Sequence, residues 1–407
     1  MTRSMKTLTD LEVDGFHHDF NLADGHAYQD LGETFADIVD ALPTLWTTCE
    51  HTRVPDAEQR FRAAFATLAG SEAMMTSPFF KVCPTASNAI DVVAAALAQM
   101  QLETTLIEPT FDNLSLLLRR RGVRLRPLAE SRLNVAALSK VFASGVIQGA
   151  LFIVQPNNPT GRCLSSAELT AIAELCVRHR TVLVLDNSFR LYNRNTYDDY
   201  AILHDVGVSY IAFEDTGKVF PLHDLKASLL LCSNDLQALV NDVYNETYLC
   251  NSRFTLLLLE MVLQRTLSVG LSAAVWSLVD TRRDVLRASL AGTGFSVDAT
   301  ALHSQISVEW LDCSETGLSD WEVARLLEDS GVLVLPGTLF YWSGVPDDEN
   351  HRNIRVALMK PAVQFQAAID RMASALRRGV AHRPAMSPTS NGGADDVPAG
   401  HSRGNER

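Results

Sequence analysis

The sequence predicts an α/β fold, a mostly parallel sheet covered by helices on both faces and followed by a smaller α+β unit. Three observations carry this. Between about residues 104 and 232, short β-branched runs alternate with helical stretches. Those runs are apolar throughout, as strands buried on both faces are. After a long helical stretch the pattern resumes with shorter strands and one closing helix.

Residues 105–107, 149–154, 181–185, 210–213 and 228–231 read as the strands of the first unit. Residues 113–120 and 165–179 read as helices between them, the second capped by Ser165. The apolar period is helical over 253–291 and breaks only near Gly270, which predicts a helical connection between two domains. Residues 300–310, 331–335 and 353–358 then read as strands, and 362–378 as the closing helix. From about residue 382 onward Pro, Ser, Gly and Asn replace apolar residues, the composition of a disordered tail.

With 407 residues, 47% hydrophobic and 20% charged, the chain has material for two domains at ~100–200 residues each, and disorder is excluded as its main state. A net charge of -13 makes nucleic acid and anionic membranes poor partners. No apolar stretch approaches the ~20 residues of a membrane helix, and residues 1–11 hold no secretory core, so a cytoplasmic location is expected. The seven cysteines occur singly without a CxxC pair, and the eleven histidines show no HExxH spacing. Reduced thiols and no metal centre are the expectation.

The chemistry collects at strand ends. Gln155-Pro156-Asn157-Asn158-Pro159-Thr160-Gly161-Arg162 follows a predicted strand, at the carboxyl edge where open α/β sheets bind ligands. Asp186 closes the next strand, with Ser188 two residues on, and Lys218 follows the strand over 210–213. Taken singly these are ordinary: a strand-end Asp usually caps a helix, and a Lys after Gly is usually solvated. Together, an amide, a carboxylate and a lysine at three successive strand ends are what pyridoxal phosphate requires. The lysine holds the aldehyde, the carboxylate keeps the pyridine nitrogen protonated, and the amide bonds the ring oxygen.

This Asn-Pro-Thr-Gly, Asp and Lys series resembles that of the fold-type I, aspartate aminotransferase-like pyridoxal-phosphate enzymes. The resemblance extends the cofactor set. Ser87 and Asn88, where Cys83-Pro84-Thr85-Ala86-Ser87-Asn88 leads into a helix predicted over 89–100, would hold the phosphate. Phe111 would stack on the ring, and Lys226 would stand where aminotransferases usually keep a phosphate-binding arginine. Arg355 matches the arginine that grips the substrate α-carboxylate.

Asn21-Leu22-Ala23-Asp24-Gly25-His26-Ala27, Pro109-Thr110-Phe111-Asp112-Asn113, Asp186-Asn187-Ser188-Phe189-Arg190 and Glu214-Asp215-Thr216-Gly217-Lys218, with Asp224-Leu225-Lys226-Ala227, go further. They resemble the pyridoxal-phosphate-dependent L-arginine oxidases and hydroxylases, the L-enduracididine-pathway type in particular, from about Thr9 to Arg378. That resemblance implies an N-terminal arm (1–40) covering the active site, a large cofactor-binding domain (41–285) and a small domain (286–380), ahead of the tail (381–407). It implies that Thr9, Glu12, Asp24 and His26 of the arm line the substrate site, with Asp215 where aminotransferases commonly have a phosphate-binding serine. A guanidinium leaves water at high cost unless carboxylates receive its forked N–H groups, and Glu12, Asp24 and Asp215 would supply them.

The activity so implied is oxidation of L-arginine by dioxygen without metal or flavin, in specialised-metabolite (antibiotic) biosynthesis, by a homodimer. The products would be 4-hydroxy-2-oxoarginine with 2-oxoarginine, hydrogen peroxide and ammonia, with His26 assisting hydroxylation. A conventional aminotransferase would use the same Asn158, Asp186, Lys218 and Arg355 but need a keto-acid acceptor. A cyclase or lyase acting on hydroxyarginine would consume no dioxygen. A silent regulator would carry a DNA-binding segment, for which the acidic lead has neither length nor charge.

Overall fold

The computed structural model describes residues 6–195, 197–344 and 352–381. The predicted disordered tail lies outside the described residues. Thirteen strands occur among them: β1 (Phe20–Asn21), β2 (Lys81–Cys83), β3 (Thr104–Glu108), β4 (Leu125–Ala129), β5 (Ala150–Val154), β6 (Val182–Asn187), β7 (Tyr210–Glu214), β8 (Ser228–Cys232), β9 (Ser296–Val297), β10 (Val308–Asp312), β11 (Val332–Leu333), β12 (Leu335–Pro336) and β13 (Asn353–Ala357).

The main sheet has the order β2-β8-β7-β6-β5-β3-β4, parallel from β7 through β4, with β8 antiparallel to both its neighbours. Every residue of β3, β5, β6 and β7 is buried, which is why these read in the sequence as uninterrupted apolar runs. Two strands escaped that reading. β2 has only three residues, and β4 is a largely exposed edge strand containing Pro127, tolerated there because its missing N–H faces no partner. β8 departs from the parallel pattern because the chain returns from β7 without a crossover helix, and only a helix-length crossover turns a strand parallel.

Helices cover this sheet. Ser166–His179 starts with a reciprocal box: the Ser165 hydroxyl accepts the Glu168 N–H at 3.3 Å, and the Glu168 carboxylate accepts the Ser165 N–H at 2.9 Å. The predicted helical connection is Arg253–Val269, then a π turn and Ser277–Leu290, bent by 104° beside Gly270. Among the described residues no single helix is long and apolar enough to cross a membrane. All seven cysteines are free thiols.

A second sheet, β12-β13-β10-β9, is antiparallel, and Ala362–Ala381 closes the described chain. The strand expected over 300–310 is corrected to β10 alone. Asp298 accepts the Thr300 N–H at 2.8 Å and its hydroxyl at 2.5 Å, folding Ala299–Ala301 into a turn that local side-chain bonding favours over a strand.

The N-terminal segment is joined to β11, to β13 and to the loop after β7. β1 pairs in parallel with β11, Ala357 donates its N–H to Leu22 O at 2.8 Å, Tyr28 to Met359 O at 2.9 Å, and Ala27 to Gly217 O at 3.1 Å. These bonds fix the backbone on both sides of Asp24-Gly25-His26.

Candidate active site

The carboxyl ends of β3, β5, β6 and β7 point to one side of the sheet, and there Phe111, Asn158, Asp186, Ser188, Asp215, Lys218 and Lys226 surround a pocket of about 200 Å³. The arm contributes Thr9, Glu12 and His26 to its walls, and the N-terminal turn of the Ala86–Gln99 helix contributes Ser87. Residues distant in sequence thus converge because successive parallel strands end side by side.

Asp186 lies at the buried end. Its Oδ1 accepts the Ser188 N–H at 2.9 Å and the Ser188 hydroxyl at 2.5 Å. Burial pushes its carboxyl up to about 6 against those two hydrogen bonds. Behind it, on the opposite face of the sheet, Arg190 donates to Glu214 at 2.8 Å and to Asp199 at 2.5 Å, while Asn187 donates to Glu214 at 3.2 Å. Because side chains alternate along a strand, that network holds Asn187 and Glu214 from behind and leaves Asp186 and Asp215 facing the pocket.

Asn158 rides on a loop folded around a buried carboxylate that the sequence did not flag. Glu130 accepts from Asn157 Nδ2 and from Thr160 Oγ1, both at 2.7 Å. Asp215 Oδ1 accepts the Gly217 N–H at 3.1 Å, and the Tyr192 hydroxyl holds Lys218 O at 2.7 Å. Gly217 leaves room for the Lys226 stem: a Cβ there would meet Lys226 Cδ at 2.7 Å, and the stem would have to shift.

His26 Nδ1 is 2.6 Å from Asp24 Oδ1, and its Nε2 is 3.2 Å from Lys226 Nζ and 3.4 Å from Lys218 Nζ. A carboxylate only accepts, so Nδ1 carries the proton and Nε2 turns its lone pair toward the two amines. Burial opposes the Asp24 charge, but the His26 hydrogen bond and the positive charges of Lys360 and Lys218 hold its carboxyl well below the usual range.

Three predicted residues stand outside the pocket wall. Asn88 is the third residue of its helix, and its N–H and side-chain oxygen are both taken by Thr85 Oγ1, at 3.2 and 2.7 Å. Thr85 is therefore the cap, and the helix starts at Ala86 rather than 89. Asp24 sits behind His26. Arg355 lies fully buried between Phe111 and Phe340, its guanidinium carbon 5.6 and 5.5 Å from their rings, and it bonds Glu12 at 2.9 Å, Asn158 at 3.4 Å and Ala23 O. Sequence reasoning also missed Tyr28 and Lys360 behind Asp24, for which neither spacing nor motif gave a signal.

The donor set fits pyridoxal 5'-phosphate. Two amines reach the pocket, a buried carboxylate with one oxygen outside the Ser188 hydrogen bonds lies at its end, Phe111 forms a flat wall, and the capped helix leaves its Ala86 and Ser87 N–H groups at an anion-binding terminus. Sheet order and donor set together define a fold-type I pyridoxal-phosphate enzyme of the aspartate aminotransferase-like class. The sequence pattern of class I and II aminotransferases matches residues 18–372, and the chain belongs to that family.

Among curated proteins it is 30% identical over 124 residues to histidinol-phosphate aminotransferase of Symbiobacterium thermophilum, covering 29% of this chain and 34% of that one. To glutamate–glyoxylate aminotransferase 1 of Arabidopsis thaliana it is 38% identical over 71 residues, covering 16% and 14%. The matched stretch spans about a third of the first relative's length and less of the second's. Among solved structures, that of MppP soaked with the product 2-ketoarginine superposes with a TM-score of 0.81 at 34% identity, covering 88% of this chain and 99% of that one. Aspartate aminotransferase of Thermus thermophilus, with maleate, gives 0.72 at 16% identity, covering 91% and 97%, a likeness of fold.

Proposed function

We propose that this enzyme oxidises L-arginine with dioxygen, giving mainly 4-hydroxy-2-oxoarginine with some 2-oxoarginine, and releasing hydrogen peroxide and ammonia. The observation that carries this is the likeness to MppP, a protein solved with 2-ketoarginine as its product, along nearly the whole of that chain. Charge in the pocket agrees with it: Glu12 and Asp215 line the same walls as the amines, where a cationic side chain would find anionic partners.

Bound pyridoxal phosphate supplies an electron sink that acidifies the α-hydrogen of an amino acid. Lys218 Nζ would hold the cofactor aldehyde and would be the base placed to take the α-proton. Asp186 Oδ2 keeps the pyridine nitrogen protonated, while Ser87, the helix N-terminus and Lys226 hold the phosphate, with Asn88 steadying that turn. Phe111 and Asn158 fix the ring and its oxygen, and Ser188 fixes Asp186. Arg355 receives the substrate carboxylate and Glu12 and Asp215 its guanidinium, with Thr9 closing the wall. Asp24 orients His26, whose Nε2 guides the water that adds to the γ carbon. We assign the working unit to a cytoplasmic homodimer, with residues 1–40 as its arm, 41–285 as its large domain and 286–380 as its small domain.

Oxygen stoichiometry tests the proposal. The ketone needs one dioxygen per arginine, the hydroxylated ketone two, each dioxygen leaving as peroxide. An oxygen electrode combined with mass spectrometry should give a ratio between one and two that follows product composition. A second reading, a conventional aminotransferase, is favoured by the curated relatives; conversion that needs a keto-acid acceptor and takes up no oxygen would establish it.

A further inference from the structure

Two peptide planes flank the Cα of Lys218, and each is held from outside its own turn. Gly217 O accepts the Ala27 N–H of the arm at 3.1 Å, and Lys218 O accepts the Tyr192 hydroxyl at 2.7 Å. Fixing both planes fixes φ and ψ of the residue between them, and with these the direction in which its side chain leaves the backbone. The first bond joins two main chains, whereas the second depends on one side chain. Within the turn, Val219 and Phe220 donate their N–H groups to Thr216 O, both at 3.2 Å, while the Thr216 N–H and hydroxyl bond Ala227 O at 3.2 and 3.0 Å. Those bonds tie the turn to the residue before β8 without engaging Lys218 O.

Tyr192 stands on a rigid base. It is fully buried and closes the short 3₁₀ helix Arg190–Tyr192, which follows Asp186-Asn187-Ser188-Phe189 directly. Around it, Arg190 donates to Glu214 at 2.8 Å, Leu191 O accepts the Trp276 indole N–H at 2.8 Å, and the Arg194 N–H bonds Gln305 Oε1 at 3.0 Å. The segment is gripped from three directions. Burial raises the phenol above its ordinary range, against opposing effects of Ser307 and Arg283 beside it, so it keeps its proton. A phenol has one proton to give and Lys218 O takes it, so the Ser307 hydroxyl can meet it only as a donor to the phenol oxygen. One short stretch of chain thus carries both the carboxylate that faces the pocket and the hydroxyl that grips the lysine peptide.

We propose that Tyr192 is a positioning residue for Lys218: its hydroxyl, by fixing the Lys218 peptide, holds the amine in register with Asp186 across the pocket. Tyr192 is not part of the pocket wall and acts through Lys218. The inference rests on the reading of Lys218 as the cofactor-bearing lysine, and not on arginine or on dioxygen.

The test uses the cofactor-loaded enzyme, whose near-ultraviolet to blue absorption band shows circular dichroism in proportion to how firmly the chromophore is held. Tyr192→Phe removes the hydroxyl and keeps the ring. Circular dichroism per unit of band absorbance should fall by about half, and kcat for oxygen uptake with L-arginine by about tenfold with KM within about twofold, because a loosened amine loses alignment and not binding. Far-ultraviolet circular dichroism should stay as in the parent. Tyr192→Met, a second variant without the hydroxyl, serves where the phenylalanine form does not fold. A folded variant whose cofactor band keeps the parent's circular dichroism overturns the proposal, whatever its turnover. So does failure of both variants to fold, since the hydroxyl then serves stability alone. Lys218→Ala marks the other failure: a band that persists there refutes the reading of Lys218 and takes this inference with it. A protein with a normal band and no oxygen uptake refutes only the proposed oxidation, and the band then decides this point.

Discussion

Glu12 Oε1 and Arg355 Nη2 form a buried ion pair at 2.9 Å, joining the arm helix Leu8–Asp14 to β13. These two were expected at opposite ends of one substrate, Glu12 on the guanidinium and Arg355 on the carboxylate. L-Arginine carries a complement to each, so entering substrate can exchange one buried pair for two without leaving either charge bare.

Substituting Glu12 by Gln removes the charge at nearly constant shape and leaves Arg355 underpaired, a change that costs roughly 3–5 kcal/mol when a buried pair loses one partner. Denaturant unfolding should show a loss of that order, and KM for L-arginine should rise at least about tenfold, with kcat less affected. An unaltered KM in a folded Glu12→Gln enzyme removes Glu12 from the guanidinium site.

Asp186 gives the cofactor-free protein a defined pH dependence. Its carboxyl is raised from 3.8 to about 6, so the neutral form is favoured on folding. The associated stability is complete below the unfolded value and disappears as pH rises through about 6, a loss on the order of 3 kcal/mol. Unfolding of cofactor-free protein across that window should show the decline, and Asp186→Asn should flatten it. Cofactor affinity should move the opposite way, strengthening as Asp186 ionises to face a pyridinium.

Legibility in the sequence followed chain-local chemistry. Asn158, Asp186 and Lys218 could be placed beside one another because each lies at or within four residues of the carboxyl end of an apolar strand, and parallel strands deliver those ends to one edge. The start of the Ala86–Gln99 helix was misplaced because where such a helix opens turns on one hydroxyl, that of Thr85. Glu130, Tyr28 and Lys360 left no trace, since a polar group drawn into the fold takes its meaning from partners far along the chain, and no local period encodes them. The contact of Asp24 Oδ1 with His26 Nδ1 could not be read from the sequence, because spacing alone does not show which way either side chain turns.

Gly217→Ala tests how the second amine is delivered. The added methyl would lie 2.7 Å from Lys226 Cδ, and Lys226 is flexible, so it can shift without unfolding the chain. Thermal stability should fall by only about 1 kcal/mol, whereas cofactor retention on dialysis should weaken about tenfold. Equal loss in Lys226→Met, without further loss in the double variant, would place both effects on the same amine.

His26→Ala separates oxidation from hydroxylation. Its Nε2 is 3.4 Å from Lys218 Nζ, so it is near the reacting amine without bonding the aldehyde-holding atom strongly. Removing the imidazole should leave oxygen uptake within about tenfold, because Lys218 and Asp186 remain to take the α-proton and hold the ring nitrogen. Product should move to 2-oxoarginine, and the ratio of oxygen consumed to arginine consumed should drop from near two toward one. A hydroxylated yield as high as that of the parent enzyme, at the same oxygen ratio, would mean that water is guided to the γ carbon by some other group in the pocket.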